Sequence, residues 1–186
     1  MNQVFVPLMA CLWLAWMVSW HLAALWRGGK RDEAPRREYR VHFLIAIVGF
    51  FLAFAGWPPM APLWPPSAAL GWAMVALTVA GFAFAWWARI HLGRLWSGGV
   101  VLRDGHRVVD SGPYALVRHP IYTGLFAAVI AMAVTRGTPL SLLGAALFVL
   151  GFTLKARVEE RFLEAALPDY AAYRRRVGMI VPGIGR

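Results

Sequence analysis

An all-α integral membrane protein is the fold class this sequence predicts, with five transmembrane helices, the last two forming a helical hairpin, and a cytosolic helical tail. Three observations carry that expectation. The 186 residues are 60% hydrophobic, and their apolar members fall in long uncharged runs that need lipid as solvent. Only nine acids stand against nineteen bases, and the bases gather at the ends of those runs, which fits a membrane surface and no nucleic acid. A tight turn, "TRGTP" at Thr135 to Pro139, separates the last two runs, so they form an antiparallel pair.

The five spans run over about residues 4–26, 41–57, 67–92, 120–135 and 139–157, within a single domain of residues 1–186 that has no internal repeat. "MNQVFVPLMACLWLAWMVSWHLAALW" lacks a basic leader and exceeds a signal peptide's apolar stretch, so it is expected to stay as the first span. It holds the single cysteine, Cys11, which leaves no disulfide within the chain and no cysteine-based zinc site. The second and fourth spans fall short of the roughly 20 helical residues that cross a hydrocarbon core and must lean on neighbours. "WPPMAPLWPP" between spans two and three has the Trp and Pro content of an interfacial loop. In span three, the small residues of "GWAMVALTVAG" make a packing face, either within one chain or between copies; the oligomeric state stays open. The tail, residues 155–186, first prolongs span five and breaks at Pro168. Asp169 is then expected to cap a short basic and aromatic helix carrying Tyr170 and Tyr173, lying on membrane lipid headgroups.

Counting Lys and Arg by side orients the chain. The first loop holds six, the stretch Arg89 to Arg118 five and the tail seven, whereas the opposite side has Arg136 alone. Positive charge retained inside places the N-terminus outside and the long loop and tail in the cytosol.

The residues that need a chemical explanation sit on that cytosolic side. "SGPYALVRHPIY", Ser111 to Tyr122, combines a Gly-Pro turn, two tyrosines, Arg118 and His119 with Pro120 at the first position of span four. A helix start there favours an anionic ligand group, and the tyrosine faces suit a cationic one. Across the hairpin, "KARVEE" brings Glu159 and Glu160 towards the Arg and His, as a structural ion pair or as a ligand contact. Taken singly, Arg118 reads equally as a base snorkelling to headgroups and the tyrosines as belt aromatics; their coincidence within a few residues argues for a site. The chain has no G-x-G-x-x-G, P-loop, H-E-x-x-H or nucleophile elbow, so a nucleotide cofactor must be held by the membrane-embedded frame itself.

With "HRVVDSGPYALVRHPIYTG", then "RVEERFL", "YAAYRRRV" and "VPGIGR", the C-terminal half, Leu92 to Arg186, resembles the isoprenylcysteine carboxyl methyltransferase family of its prokaryotic branch, related to phospholipid N-methyltransferases. The resemblance implies a pocket for S-adenosyl-L-methionine formed by a loop over residues 94–122 and by the tail. Carried over residue by residue, the cofactor contacts it implies are His106, Arg107, Val108, Val109, Tyr114, His119, Pro120, Ile121, Tyr122 and Glu159, and our reading of the residues adds Arg118. A basic residue ahead of the acids, Lys155 or Arg157, would meet the acceptor, with Arg157 and Glu159 as the catalytic candidates.

The expected activity is methyl transfer to a lipidic or prenylated acceptor, a small molecule or protein. A carboxylate acceptor needs only orientation by Arg157 or Lys155; an amine, as in phospholipid N-methylation, needs a base, for which Glu159 and His119 are candidates. Two other readings compete: a membrane NADPH-dependent reductase of the sterol type, for which 186 residues leave little room, and a non-enzymatic scaffold whose basic loops bind anionic lipid. No metal is expected.

Overall fold

The computed structural model describes residues 2–23, 30–33, 36–55, 60–96, 101–103 and 107–185. Its frame is five long helices: α1 Asn2–Ala23, α2 Arg36–Phe54, α3 Ala68–Leu92, α5 Pro120–Arg136 and α6 Pro139–Ala166. Two short helices, α4 Pro113–Leu116 and α7 Tyr170–Arg176, sit near one end. Among the described residues, three helices are long and apolar enough to cross a membrane alone, over Val4–Ala23, Ala68–Leu95 and Pro139–Ala166. Arg40–Phe54 and Pro120–Arg136 are apolar but shorter. The chain is thus an integral membrane protein whose two short apolar helices rely on partners, as their lengths implied.

Those partnerships depend on glycine. α2 packs along α6, and α3 along α5. At the second crossing Gly81 and Gly124 meet back to back: a Cβ added to Gly81 would lie 2.5 Å from the Gly124 carbonyl oxygen. At the first, a Cβ on Gly49 would lie 2.6 Å from the Gly144 oxygen, and one on Gly151 would lie 2.5 Å from the His42 oxygen. Backbones this close leave no room for a side chain, and close approach substitutes for the hydrophobic drive that lipid does not supply. Gly71, Thr78 and Gly81 of α3 therefore serve contacts within the chain, whereas Ala73, Ala76 and Ala80 are exposed.

The α5–α6 hairpin is closed as its sequence dictates. Gly137 takes the left-handed conformation (φ 67°) after α5, and Thr138 and Ser141 cap α6 reciprocally, with Pro139 at the first helical position. Leu63 N donates to Gly137 O at 2.8 Å, and Trp64 Nε1 to Val134 O at 3.1 Å, so the Pro and Trp loop folds over this turn.

Three features were not foreseen. Two strands, β1 Lys30–Glu33 and β2 Val101–Arg103, form an antiparallel ladder that ties the two charged loops together. Asp169 sits at the start of α7 without a side-chain cap bond. The aromatic face of α7 is turned inward: Tyr170, Tyr173 and Val177 are buried with Val108, Leu163 and Leu167 packed against them, while the arginines of that helix are exposed. Packing against the chain itself wins over headgroups because both rings find an apolar wall there.

Candidate active site

The segment before α5 is built by local geometry. Gly112 (φ 57°) and Pro113 start the single turn of α4. The His91 ring, from the end of α3, lies over Gly112, bonds Ser111 Oγ at 2.9 Å and stacks on Tyr114. The chain then extends through Val117 and pairs in parallel with Gly178 of the tail. Arg118 N donates to Gly178 O at 2.8 Å and His119 N to Met179 O at 3.0 Å. These two amides, immediately ahead of α5, are thus held by the tail.

Arg118 is the hub of that junction. Its Nε and Nη2 grip Glu160 at 2.6 and 3.1 Å; Nη1 donates to the carbonyls of Arg174, at 3.0 Å, and Val177, and Nη2 also to Gly185 O at 2.9 Å. His119 Nε2 lies 3.1 Å from the same carboxylate. Glu160 and Arg118 thus form a sealed ion pair whose remaining donors hold the tail.

The neighbouring acid has a different setting. Glu159 accepts from Tyr122 Oη at 2.8 and 2.9 Å and pairs with Lys155 Nζ at 2.7 Å; Lys155 also donates to Tyr122 Oη at 2.7 Å. The His119 ring stacks parallel to Tyr122, with Nδ1 3.6 Å from Glu159. The Glu159 side chain keeps 16% of its surface exposed against 5% for Glu160, and that difference separates a carboxylate available to a ligand from one that is not.

Glu159 opens onto a cavity of about 680 Å³, within the usual range of small-molecule sites, roughly 300–1,000 Å³. At its polar end lie Arg107, Val108 and Val109, then Tyr114, then Arg118 to Tyr122, with Lys155 and Glu159. Eleven of the thirteen residues singled out from the sequence therefore line one space. His106 falls outside the described residues. Arg157 is exposed and outside the lining, because two residues along a helix turn it roughly 200° from Lys155, whereas Glu159, four residues on, shares the Lys155 face. Of Lys155 and Arg157, Lys155 is accordingly the one that faces the cavity.

The remaining lining was not anticipated. Tyr170 and Tyr173 close the polar end, with Tyr173 Oη donating to Tyr114 O at 2.7 Å. Burial pushes the phenols of Tyr114, Tyr170 and Tyr173 well above their ordinary pKa, so they stay neutral. Away from these groups the cavity runs into the frame between Trp13, Trp16 and Trp20 of α1, Phe43 and Phe50 of α2, and Phe148 and Phe152 of α6. Aromatic periodicity in α1 and α2 was the available signal, but core packing and a ligand wall give the same pattern.

Comparison with known proteins follows this geometry. Residues 74–165 match the family model described as the isoprenylcysteine carboxyl methyltransferase (ICMT) family. Among individual proteins, the chain is 34% identical over 93 residues to the cobalt-zinc-cadmium resistance protein CzcN of Cupriavidus metallidurans, covering 49% of this chain and 43% of that protein. It is 29% identical over 113 residues to the nickel-cobalt-cadmium resistance protein NccN of Alcaligenes xylosoxydans xylosoxydans, covering 60% of this chain and 52% of the relative. The chain thus spans about half the length of the curated relatives it matches. Their names concern metals; among the described residues no group of three or more His, Cys, Asp or Glu is placed to hold a metal ion. Residues 74–165, just under half of the chain, supply α5, nearly all of α6 and the Lys155 and Glu159 pair, and over them the chain is similar to the isoprenylcysteine carboxyl methyltransferase family, a family of methyltransferases.

Proposed function

We propose that this protein is a membrane-integral S-adenosyl-L-methionine-dependent methyltransferase that modifies a lipidic or lipid-anchored acceptor, in the manner of a carboxyl O-methyltransferase. The observation that carries the reading is the single cavity with two chemically distinct ends, one lined by Lys155, Glu159, His119 and four tyrosines, the other by tryptophan and phenylalanine of the membrane frame. A polar cofactor and an apolar acceptor need such a space if they are to meet away from water.

The donor set fits the cofactor. An accessible carboxylate, an imidazole and tyrosine faces suit a sulfonium and an amino group, and the Val108, Val109 and Ile121 side chains suit an adenine face. When bound, the cofactor supplies an activated methyl group. The chain positions and shields: the α7 tyrosines and Leu163 and Leu167 cover the polar end. Lys155 Nζ donates to both Tyr122 Oη and Glu159 and is placed to orient an acceptor carboxylate. A carboxylate acceptor requires no proton removal, so no general base is needed.

We take the basic loops and the polar end to lie on the cytosolic side, with the N-terminus outside and five spans in the bilayer. The test is a thermal-shift titration of the detergent-solubilised protein with S-adenosyl-L-methionine, S-adenosylhomocysteine and NADPH, then transfer of labelled methyl to S-prenylcysteines and phospholipids. A ligand that binds only the native state raises its melting temperature. The expected result is stabilisation by the first two ligands and label in a carboxyl ester. Stabilisation by NADPH alone would overturn the proposal, and label on a phospholipid amine would overturn the carboxyl assignment.

A further inference from the structure

The apolar end of the cavity has a floor. On α6 the lining runs from Leu167 through Glu159 and Lys155 to Phe148 and no further, and on α1 from His21 down to Trp13. Trp13 is 3% exposed, with ring centroids 5.0 Å from Phe82, 5.1 Å from Phe50, 5.9 Å from Phe54 and 6.4 Å from Phe148, every pair edge to face. Interlocked aromatics of this kind are rigid and densely packed. The indole therefore plugs the inner end of the cavity with rings drawn from four helices.

Seven residues separate Lys155 from Phe148, so that floor lies roughly 10 Å along α6 from the level of Lys155 at ~1.5 Å per residue. An extended carbon chain advances about 1.3 Å per bond, so roughly eight carbons fit between them. α1 and α2, which supply much of this wall, both lie outside the matched residues 74–165. Most of the polar end thus comes from the matched residues, and much of the wall that meets the tail comes from helices outside them.

We propose that Trp13 is a specificity-determining end stop, which sets the length of rigid apolar tail the cavity admits at about eight carbons from the acceptor's polar group. The proposal rests on the methyltransferase reading for the identity of the occupant, but its test reads binding alone. N-acetylcysteine bearing S-benzyl, S-(4-biphenylmethyl) or S-(4-terphenylmethyl) groups supplies a carboxylate for Lys155 and tails of one, two or three rings that cannot bend aside. Affinities come from dose-dependent thermal shifts of the wild-type protein and of Trp13→Ala, with Phe148→Leu as a second, milder opening of the floor should Trp13→Ala fail to fold. Expected is at least a tenfold loss of affinity from one ring to two in the wild type, largely recovered in a floor variant, with the three-ring probe excluded by the wild type. Equal binding of one- and two-ring probes by the wild type, unchanged discrimination in the variants, or no binding of any probe would each overturn the end stop. Failure of methyl transfer from S-adenosyl-L-methionine to any acceptor, with ring discrimination intact, would instead count against the enzymatic reading and leave the end stop standing.

Discussion

Arg118→Lys tests whether the arginine of the R-H-P-x-Y run serves the tail or a ligand. The guanidinium makes five hydrogen bonds, two to Glu160 and three to the carbonyls of Arg174, Val177 and Gly185. A lysine keeps the charge but brings three donors on a point ammonium, so it can retain one carboxylate contact and lose most of the carbonyl set. With net contributions of about 1.5–3 kcal/mol for a hydrogen bond to a charged group, the tail should lose about 3–5 kcal/mol of local stability, the range seen when buried ion pairs are broken. Hydrogen–deuterium exchange over residues 174–185 reads this as a drop in protection of at least a hundredfold, since each 1.4 kcal/mol is a factor of ten. Glu160→Gln should loosen the same segment, and the double variant should be far from additive because both changes break one junction. Should Arg118→Lys abolish cofactor binding while tail protection stays at the wild-type level, the guanidinium would be a ligand contact and the reasoning would fail.

Three further outcomes are expected. Lys155→Met should lower kcat/KM for the acceptor at least a hundredfold, whereas Arg157→Met, on the exposed face, should leave it within twofold; equal losses would undo the face assignment. Gly124→Val should lower the thermal midpoint by several degrees, since its Cβ would strike the Gly81 backbone and overpacking costs about 1–3 kcal/mol; an unchanged midpoint would mean the α3–α5 crossing is not that close. The raised phenols of Tyr114, Tyr170 and Tyr173 contribute stability that is fully present below about pH 10, the unfolded pKa, and is lost as pH rises towards their folded values. Stability should therefore fall above about pH 10 by up to ~1.4 kcal/mol per pH unit for each phenol, less steeply in Tyr170→Phe; phenolate absorbance appearing before unfolding would contradict this.

Much of the polar end was legible because its chemistry is local in sequence. A Gly-Pro turn, a proline at a helix start and a Thr-x-x-Ser cap each have one geometric consequence, and together they bring the start of α5 beside the end of α6. The distinction between Glu159 and Glu160 came from the family resemblance and not from the residues themselves, since adjacent acids differ only by roughly 100° of helix rotation and the tail decides which is sealed. The inward turn of Tyr170 and Tyr173 had the same cause: basic and aromatic alternation fits a headgroup surface as well as it fits a packed strap. The β1–β2 ladder joins segments some seventy residues apart, and strands of four and three residues leave little periodicity to read.

One helix relates the two ends of the cavity. Phe148, Phe152, Lys155, Glu159, Leu163 and Leu167 recur at spacings of four, three, four, four and four, which is a single stripe along α6 and a little beyond. That stripe carries, in order, the floor under the tail, its wall, the ammonium, the exposed carboxylate and the apolar cover. A rigid helix fixes the distance between tail floor and carboxylate more closely than loops could, and close contact with α2 at Gly144 and Gly151 keeps α6 from rotating. Chemistry at Lys155 and Glu159 is thereby registered against tail length at Phe148, so an acceptor of the wrong length would present its reacting group above or below the ammonium. Selectivity would then appear in kcat as well as in KM, because a displaced group is bound without being aligned.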